Sequence, residues 1–276
     1  MAIRDNDEDD ETQARSRRPA AHLASLATQR TVSRQRRVWS RRVRSWDQHG
    51  SANLQSVTSA VVAVAAVRDG TAVLDLGSGN GQISIPLAMR GANVLAIDVS
   101  PAMARQLNAE ARRRGLNSLT VAALPVEELD LPPASLDLVV SSYALHHLRD
   151  ADKARLATAA YRWLRPGGQI VIADMMFGRG GSSRDRAIIR RKLSVLARKG
   201  PGGWWRIVKN AGRYLLRVQE RPISMAAWTA LLQNAGFTGV TASAIVAEAG
   251  LVTGYRPDSS GRFAAERASA SVTGTT

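Results

Sequence analysis

The sequence predicts an α/β protein built on a doubly wound, seven-stranded sheet, mostly parallel with an antiparallel C-terminal strand, and with a helical insert after the fifth strand. Three observations point there. Strand-length apolar runs alternate with helical ones between residues 71 and 256, and repeated strand–helix–strand units make a parallel sheet with helices on both faces. The run Val73-Leu74-Asp75-Leu76-Gly77-Ser78-Gly79-Asn80-Gly81 reads as a buried strand emptying into a glycine-rich turn, with Ile83, Ile85, Leu87 and Ala88 opening a helix behind it. Near the C-terminus the runs 240–246 and 250–255 are joined by a tight connection, which demands an antiparallel pair.

Taken in order, residues 1–33 form a charge-blocked tail without periodicity, expected to be disordered. Residues 34–70 should hold two N-terminal helices or a lid: a basic one over 34–46 and an Ala/Val-rich one over 52–67, stopped by Asp69-Gly70. After the glycine turn come a second strand, 93–97, closed by Asp98, and a helix started by Ser100-Pro101 that runs to Arg114. Strands at 119–124 and 136–142 follow, then a helix at 152–164, the turn Arg165-Pro166-Gly167-Gly168 and a fifth strand at 169–174. The insert 178–222 carries two basic helices between Gly-rich stretches, Ser224 caps a helix over 225–234, and the tail 257–276 reads as flexible.

At 276 residues with 45% hydrophobic content, the chain suits one large domain with a full core. It contains no cysteine, so disulfides, thiolate metal sites and cysteine nucleophiles are excluded, and no metal site is expected. The start lacks a signal pattern and the longest apolar run is too short to span a bilayer, which predicts a soluble cytoplasmic protein. The net charge of +15 is localised: ten arginines and no acid lie between Arg15 and Arg44, and thirteen basic residues face only Asp185 and Glu220 between Arg179 and Arg221. Both segments lie outside the predicted core.

Ligands of such sheets bind beyond the carboxyl ends of the strands, where strand order reverses. Gathered there are Asp75 with Gly77, Gly79 and Gly81, then Asp98, then Leu124-Pro125 with Glu127, then Ser141, Ser142 and Tyr143 followed by His146 and His147. A carboxylate closing the second strand is placed to accept both hydroxyls of a ribose. A dinucleotide fingerprint needs a third glycine where Gln82 stands, and Asp75 would repel a pyrophosphate. An acidic corner suits a positively charged nucleoside instead.

The stretch 73–81, Asp98, the run Leu136-Asp137-Leu138-Val139-Val140 with Leu145-His146-His147-Leu148, and Leu164-Arg165-Pro166-Gly167-Gly168 together resemble the class I S-adenosylmethionine-dependent methyltransferases. Within them the chain looks like the small-molecule group that includes the ubiquinone/menaquinone-biosynthesis C-methyltransferases. The resemblance covers about residues 46–257 and implies a Rossmann-like fold with S-adenosyl-L-methionine as cofactor. It implies further that Asp75, Gly77 and Ser78 hold the methionine end, that Gly79 and Gly81 allow close approach, that Asp98 binds the ribose, and that Val99, Met103, Leu124 and Ser141 complete the cofactor site. One departure stands out: the family often closes its third strand with an Asp-Ala pair that holds the adenine amino group, and here Pro125-Val126 occupies that place.

Methyl transfer is an in-line displacement at a carbon activated by sulfonium, so the protein mainly aligns the reactants and removes water, and a base is needed only where the acceptor loses a proton. Candidates are His146, His147, Tyr143 and His49. Each has a plainer structural reading: the His pair as packing after the fourth strand, Tyr143 as a pocket wall, and Trp46, Asp47 and His49 as lid or packing residues. Trp204-Trp205 could line an acceptor pocket or pack. The expected reaction transfers a methyl group to a C or O atom of a hydrophobic or aromatic small molecule. Two alternatives stand beside it: an RNA methyltransferase using the basic segments as a nucleic-acid footprint, and a non-catalytic cofactor- or surface-binding module. The basic insert suits either an anionic membrane surface, making the protein peripheral to the membrane, or a solvated lid.

Overall fold

Central strands of this protein are nearly continuous apolar runs because both of their faces are covered. The computed structural model describes residues 29–38, 52–178 and 221–258, with residues 183, 185–187, 190 and 194 of the insert. Two N-terminal helices, α1 over residues 29–38 and α2, Ala52–Val64, precede the sheet. Seven strands then follow in chain order: β1 Ala72–Leu76, β2 Asn93–Asp98, β3 Leu119–Ala123, β4 Leu136–Ser142, β5 Leu164–Met175, β6 Thr238–Ala244 and β7 Ala249–Tyr255. Their spatial order is β3-β2-β1-β4-β5-β7-β6. The pairs among β1 to β5 are parallel, and β7 runs antiparallel to both β5 and β6. This is the architecture the sequence predicts.

Alternation along the strands builds two cores. Val73, Val94, Leu138, Val140, Val171 and Ala173 face one side and pack with Val57 and Val61 of α2, Leu87 of α3 (Ser84–Ala88) and Leu107 and Ala111 of α4 (Pro101–Arg113). Their neighbours Leu74, Leu76, Val139, Ile170 and Ile172 face the other side, against Leu156, Ala160 and Trp163 of α5 (Asp150–Trp163) and Trp228 and Leu232 of α6 (Met225–Asn234). Full burial of such side chains contributes roughly 2 kcal/mol each. The sheet is thus wound on both sides.

Local chemistry sets the helix starts. Ser100 accepts from the Met103 N–H ahead of Pro101, and Ser224 accepts from the Ala227 N–H, both as N-caps. Three boundaries differ from expectation. Residues 29–33, expected in the tail, are helical and belong to α1, and residues 39–51, with Trp46, Asp47 and His49, lie outside the described residues. Helix α2 ends at Val64. Arg165-Pro166-Gly167-Gly168 is a bulge inside β5 rather than a turn before it: Leu136 pairs with Leu164 and Leu138 with Gln169. Arg256 secures that corner, donating to the carbonyls of Tyr161, Arg162 and Leu164 at the end of α5 and lying 5.0 Å over the Tyr161 ring. The two basic insert helices and Trp204-Trp205 fall almost wholly outside the described residues, as does most of the C-terminal tail. No described helix is long and apolar enough to cross a membrane.

Candidate functional site

Strand order reverses between β1 and β4, so a crevice opens at their carboxyl ends. The turn after β1 docks onto β2: the N–H groups of Gly77 and Ser78 both donate to Ile97 O, at 2.8 and 3.0 Å. At the end of β2, Asp98 accepts from Gly79 N–H at 2.9 Å and from Ser100 N–H at 2.7 Å. Its carboxylate therefore stands between the glycine turn and the first turn of α4. Asp75, 1% exposed, accepts from the Ser84 hydroxyl on α3.

Above these groups lies a cleft walled by the turn after β1, the start of α4, the short 3-10 turn Val126–Glu128, and the segment after β4, and roofed by α1 and α2. Its charged lining is acidic: Asp75, Asp98 and Glu127 line it, and no lysine or arginine does among the described residues. Burial pushes the Asp75 carboxyl up to about 7, opposed by the Ser84 hydrogen bond and reinforced by the nearby charge of Asp98. Burial also raises Asp98, against the hydrogen bonds from Ser100 and Gly79. Glu127 is pushed up to about 7, again chiefly by burial, with Asp152 and Glu128 adding to the shift. Three carboxyl groups held this way favour a ligand that brings positive charge.

Of the residues read from the sequence as cofactor-binding, Asp75, Gly77, Ser78, Gly79, Asp98, Val99 and Met103 line the cleft. The other three do not. Gly81 serves packing: at φ +90° a Cβ there would lie 2.2 Å from Leu107 Cδ1, so the glycine lets α4 approach the turn. Ser141 is buried and donates to Leu76 O at 2.8 Å, bracing β4 against β1. Leu124 packs with the core beneath the cleft and donates its N–H to Asp98 O.

The candidate bases separate as clearly. His147 and Tyr143 line the cleft. His146 does not: it is buried, its Nδ1 lies 2.5 Å from Asp174 Oδ1, and its backbone N–H donates to Asp174 Oδ2 at 2.7 Å. The turn is also gripped from behind. Lys153, fully buried, donates to Leu148 O at 2.8 Å and Arg221 O at 2.7 Å, while Arg221 N–H donates to His146 O. Burial pushes the Tyr143 phenol up to about 12, with the charges of Glu248 and Asp174 adding to it, so it is a hydrogen-bond donor at neutral pH and not a base. Among the described residues no cluster of three His, Asp or Glu side chains is placed to hold a metal ion.

Sequence reasoning missed Gln35, Leu54 and Thr58. Gln35 on α1 donates to His147 O at 3.0 Å, and Arg36 reaches Val99 O at 3.4 Å; helix α1 thus spans the cleft from its His147 side to its Val99 side. Nothing in a basic, weakly periodic segment marks this docking. Ser142, gathered with Ser141 at the same strand end, is the one of the two that lines the cleft, because alternation along β4 turns it opposite to Ser141.

Residues 73–168 match the family model described as a methyltransferase domain. An uncharacterized methyltransferase of Geobacillus kaustophilus is 29% identical over 144 residues, 51% of this chain and 60% of that protein; the chain thus spans less than two thirds of the relative it matches. Among solved structures, the 1,6-didemethyltoxoflavin-N1-methyltransferase of Burkholderia thailandensis, with bound 1,6-didemethyltoxoflavin and S-adenosylhomocysteine, superposes with a TM-score of 0.58 at 20% identity, covering 87% of this chain and 94% of that one. A SAM-dependent methyltransferase of Aquifex aeolicus superposes at 0.54 with 16% identity, covering 77% and 97%. These likenesses show that the chain has the Rossmann-like fold of those structures. Asp137, which belongs to the resembling motif, lies at the far end of β4 from the cleft: it accepts from Ala72 N–H at 2.8 Å and from Arg165 at 2.7 Å, tying β1, β4 and the β5 bulge together.

Proposed function

We propose that this chain transfers a methyl group from S-adenosyl-L-methionine to a C or O atom of a hydrophobic or aromatic small molecule. The observation that carries the reading is the acid-only charged lining of the cleft, with Asp75, Asp98 and Glu127 converging at the switch point of the sheet. A phosphate-bearing cofactor would meet three carboxyl groups there and no lysine or arginine among the described residues; a sulfonium nucleoside with an α-amino group matches them. The lining also holds buried polar atoms without a partner, Ser78 Oγ, Glu127 Oε1 and Ser142 Oγ, which is the condition of a site built for a polar ligand.

Asp98 would accept the ribose hydroxyls on the lone pairs its two backbone bonds leave free. Asp75 and the Gly77 turn would hold the methionine end, and Val99 and Met103 would border the adenine. Glu127 stands beside the place where Pro125-Val126 replaces the family's Asp-Ala pair. When bound, the cofactor supplies a methyl group on positively charged sulfur. The chain aligns the acceptor, excludes water beneath α1 and α2, and offers His147 to take the proton that an oxygen acceptor gives up.

Titration calorimetry with S-adenosylmethionine tests this. The wild-type chain should bind, and Asp98→Ala should abolish binding; unaltered binding by that variant would overturn the site. Labelled cofactor incubated with host extract should then mark an organic-extractable acceptor. Label in RNA instead would overturn the acceptor class.

A further inference from the structure

Helix α1 keeps its charge on one side. At about 100° per residue, Arg30, Arg34 and Arg37 fall within roughly 60° of one another, while Val32 and Gln35 fall on the opposite side. The two sides meet different surroundings. Val32 is buried, and Gln35 lines the cleft and donates to His147 O, so theirs is the inner side. All three arginines are exposed, and the stripe they make is the outer face of the cleft's roof. The sequence carries the same alternation of four- and three-residue steps on to Arg41 and Arg44.

A solvated helix face ordinarily mixes both signs, because at these spacings opposite charges attract and like charges repel. Nothing within the roof offsets the repulsion here. Neither α1 nor α2 contains an acidic residue, and the first turn of α4, next to the Val99 carbonyl that Arg36 reaches, has none. The acids of the cleft, Asp75, Asp98 and Glu127, all belong to its lining. The roof thus parts an acidic interior from an outer face charged only by arginine.

Such a stripe calls for an extended anionic partner, which is either a nucleic-acid backbone or a layer of lipid headgroups. Between the arginines the exposed residues of α1 are Gln29 and Ser33, so the face offers no aromatic platform on which a base could stack. A bilayer needs none. Its surface potential draws in each arginine, and its interior holds hydrophobic compounds.

We propose that the outer face of α1 docks on an anionic lipid bilayer through Arg30, Arg34 and Arg37, setting the roof of the cleft against the surface from which a hydrophobic acceptor arrives. The inference rests on reading the acceptor as hydrophobic, and it adds the surface on which the chain works. No exposed residue of α1 is apolar, so the helix lies on the headgroups by charge and does not insert. Docking is therefore reversible and weakens with salt.

Cosedimentation of the full chain with lipid vesicles tests this. Vesicles of equimolar phosphatidylcholine and phosphatidylglycerol should bind it, pure phosphatidylcholine should not, and salt should release it. Arg30→Ala combined with Arg37→Ala should weaken binding about thirtyfold, at about fivefold per arginine. A charge-matched pair comes from Arg68, ahead of β1, and Arg112, in the last turn of α4, both exposed toward the amino ends of the strands. Arg68→Ala combined with Arg112→Ala should weaken binding less than about twofold. S-adenosylhomocysteine affinity and melting temperature should hold in both double variants, since none of the four residues lines the cleft. Equal losses in the two pairs would mean that net charge drives binding, and no loss in the α1 pair would place the contact elsewhere; either overturns the proposal. So would tighter binding to total tRNA than to the anionic vesicles, lost in the α1 pair. All three results leave the methyltransferase reading standing, which fails separately if the wild-type chain does not bind S-adenosylhomocysteine.

Discussion

The imidazole of His146 and the carboxylate of Asp174 form a buried pair, Nδ1 to Oδ1 at 2.5 Å, although neither lines the cleft. Asp174 also accepts from the His146 and Met175 N–H groups, both at 2.7 Å. One carboxylate at the end of β5 therefore fixes the 3-10 turn Leu145–His147 that carries His147 into the cleft. Replacing it strands two backbone donors and a ring nitrogen. Asp174→Ala should cost about 3 kcal/mol in denaturant unfolding, and Asp174→Asn less, because the amide oxygen still accepts. His146→Ala should lower stability without removing a group that touches ligand. Equal stability of Asp174→Ala and the wild type would show that the turn is held by other means.

Asp75 should make the unliganded protein less stable as the pH rises. Its carboxyl sits near 4 in the unfolded chain and at about 7 in the fold, so the folded state binds the proton more tightly. The contribution is fully present below about pH 4 and is lost as pH climbs to about 7, on the order of 4 kcal/mol in all. Glu127 acts in the same direction. Asp75→Asn keeps an acceptor for Ser84 and sheds the buried charge. It should therefore raise the melting temperature at pH 8 by roughly 5 °C, change it little at pH 4, and weaken S-adenosylmethionine binding at pH 8. Thermal melts across pH 4–8, with and without cofactor, read all three.

Much of this site is legible in the sequence because it rests on local rules. Apolar runs mark β1, β4 and β5, glycines mark the turn, and a carboxylate at a strand end points to the crevice, so Asp75 and Asp98 follow from position alone. What escapes depends on register and docking. The His146–Asp174 pair joins residues 28 positions apart and exists only because β4 and β5 align Ser142 with Ala173. Gly81 and Gly79 look alike in the motif, yet one faces α4 and the other the cleft. Gln35 reaches the site through a helix whose composition reads only as basic.

Three glycines of one motif should fail differently when given a methyl group. At Gly79, φ +53°, a Cβ meets nothing within 4 Å, so Gly79→Ala should cost only about 1 kcal/mol of stability through its positive φ, while cofactor affinity falls. At Gly81 the Cβ would strike Leu107, so Gly81→Ala should mainly destabilise the fold, by about 2 kcal/mol or more. Gly77→Ala should do both, since its Cβ would lie 2.2 Å from Ala144 Cβ in the turn that lines the cleft. Paired measurements of unfolding and S-adenosylhomocysteine affinity separate the three; a common profile would refute the assignment of Gly81 to packing.

Helix α1 should govern how fast ligand leaves the cleft. The Gln35 amide donates to His147 O while its side chain lines the cavity, and Arg36 adds an exposed contact to Val99 O. Elsewhere Val32 is the buried residue of α1. A helix docked over a cleft can open without unfolding the domain. Gln35→Ala removes the inner bond, worth about 1 kcal/mol, and should raise the dissociation rate of S-adenosylhomocysteine about fivefold in stopped-flow displacement, with the association rate and melting temperature nearly unchanged. Arg36→Ala should do less, because its contact is exposed and long. Equal dissociation rates in wild type and Gln35→Ala would mean that α1 does not gate the cleft, leaving α2, with Leu54 and Thr58, as its roof.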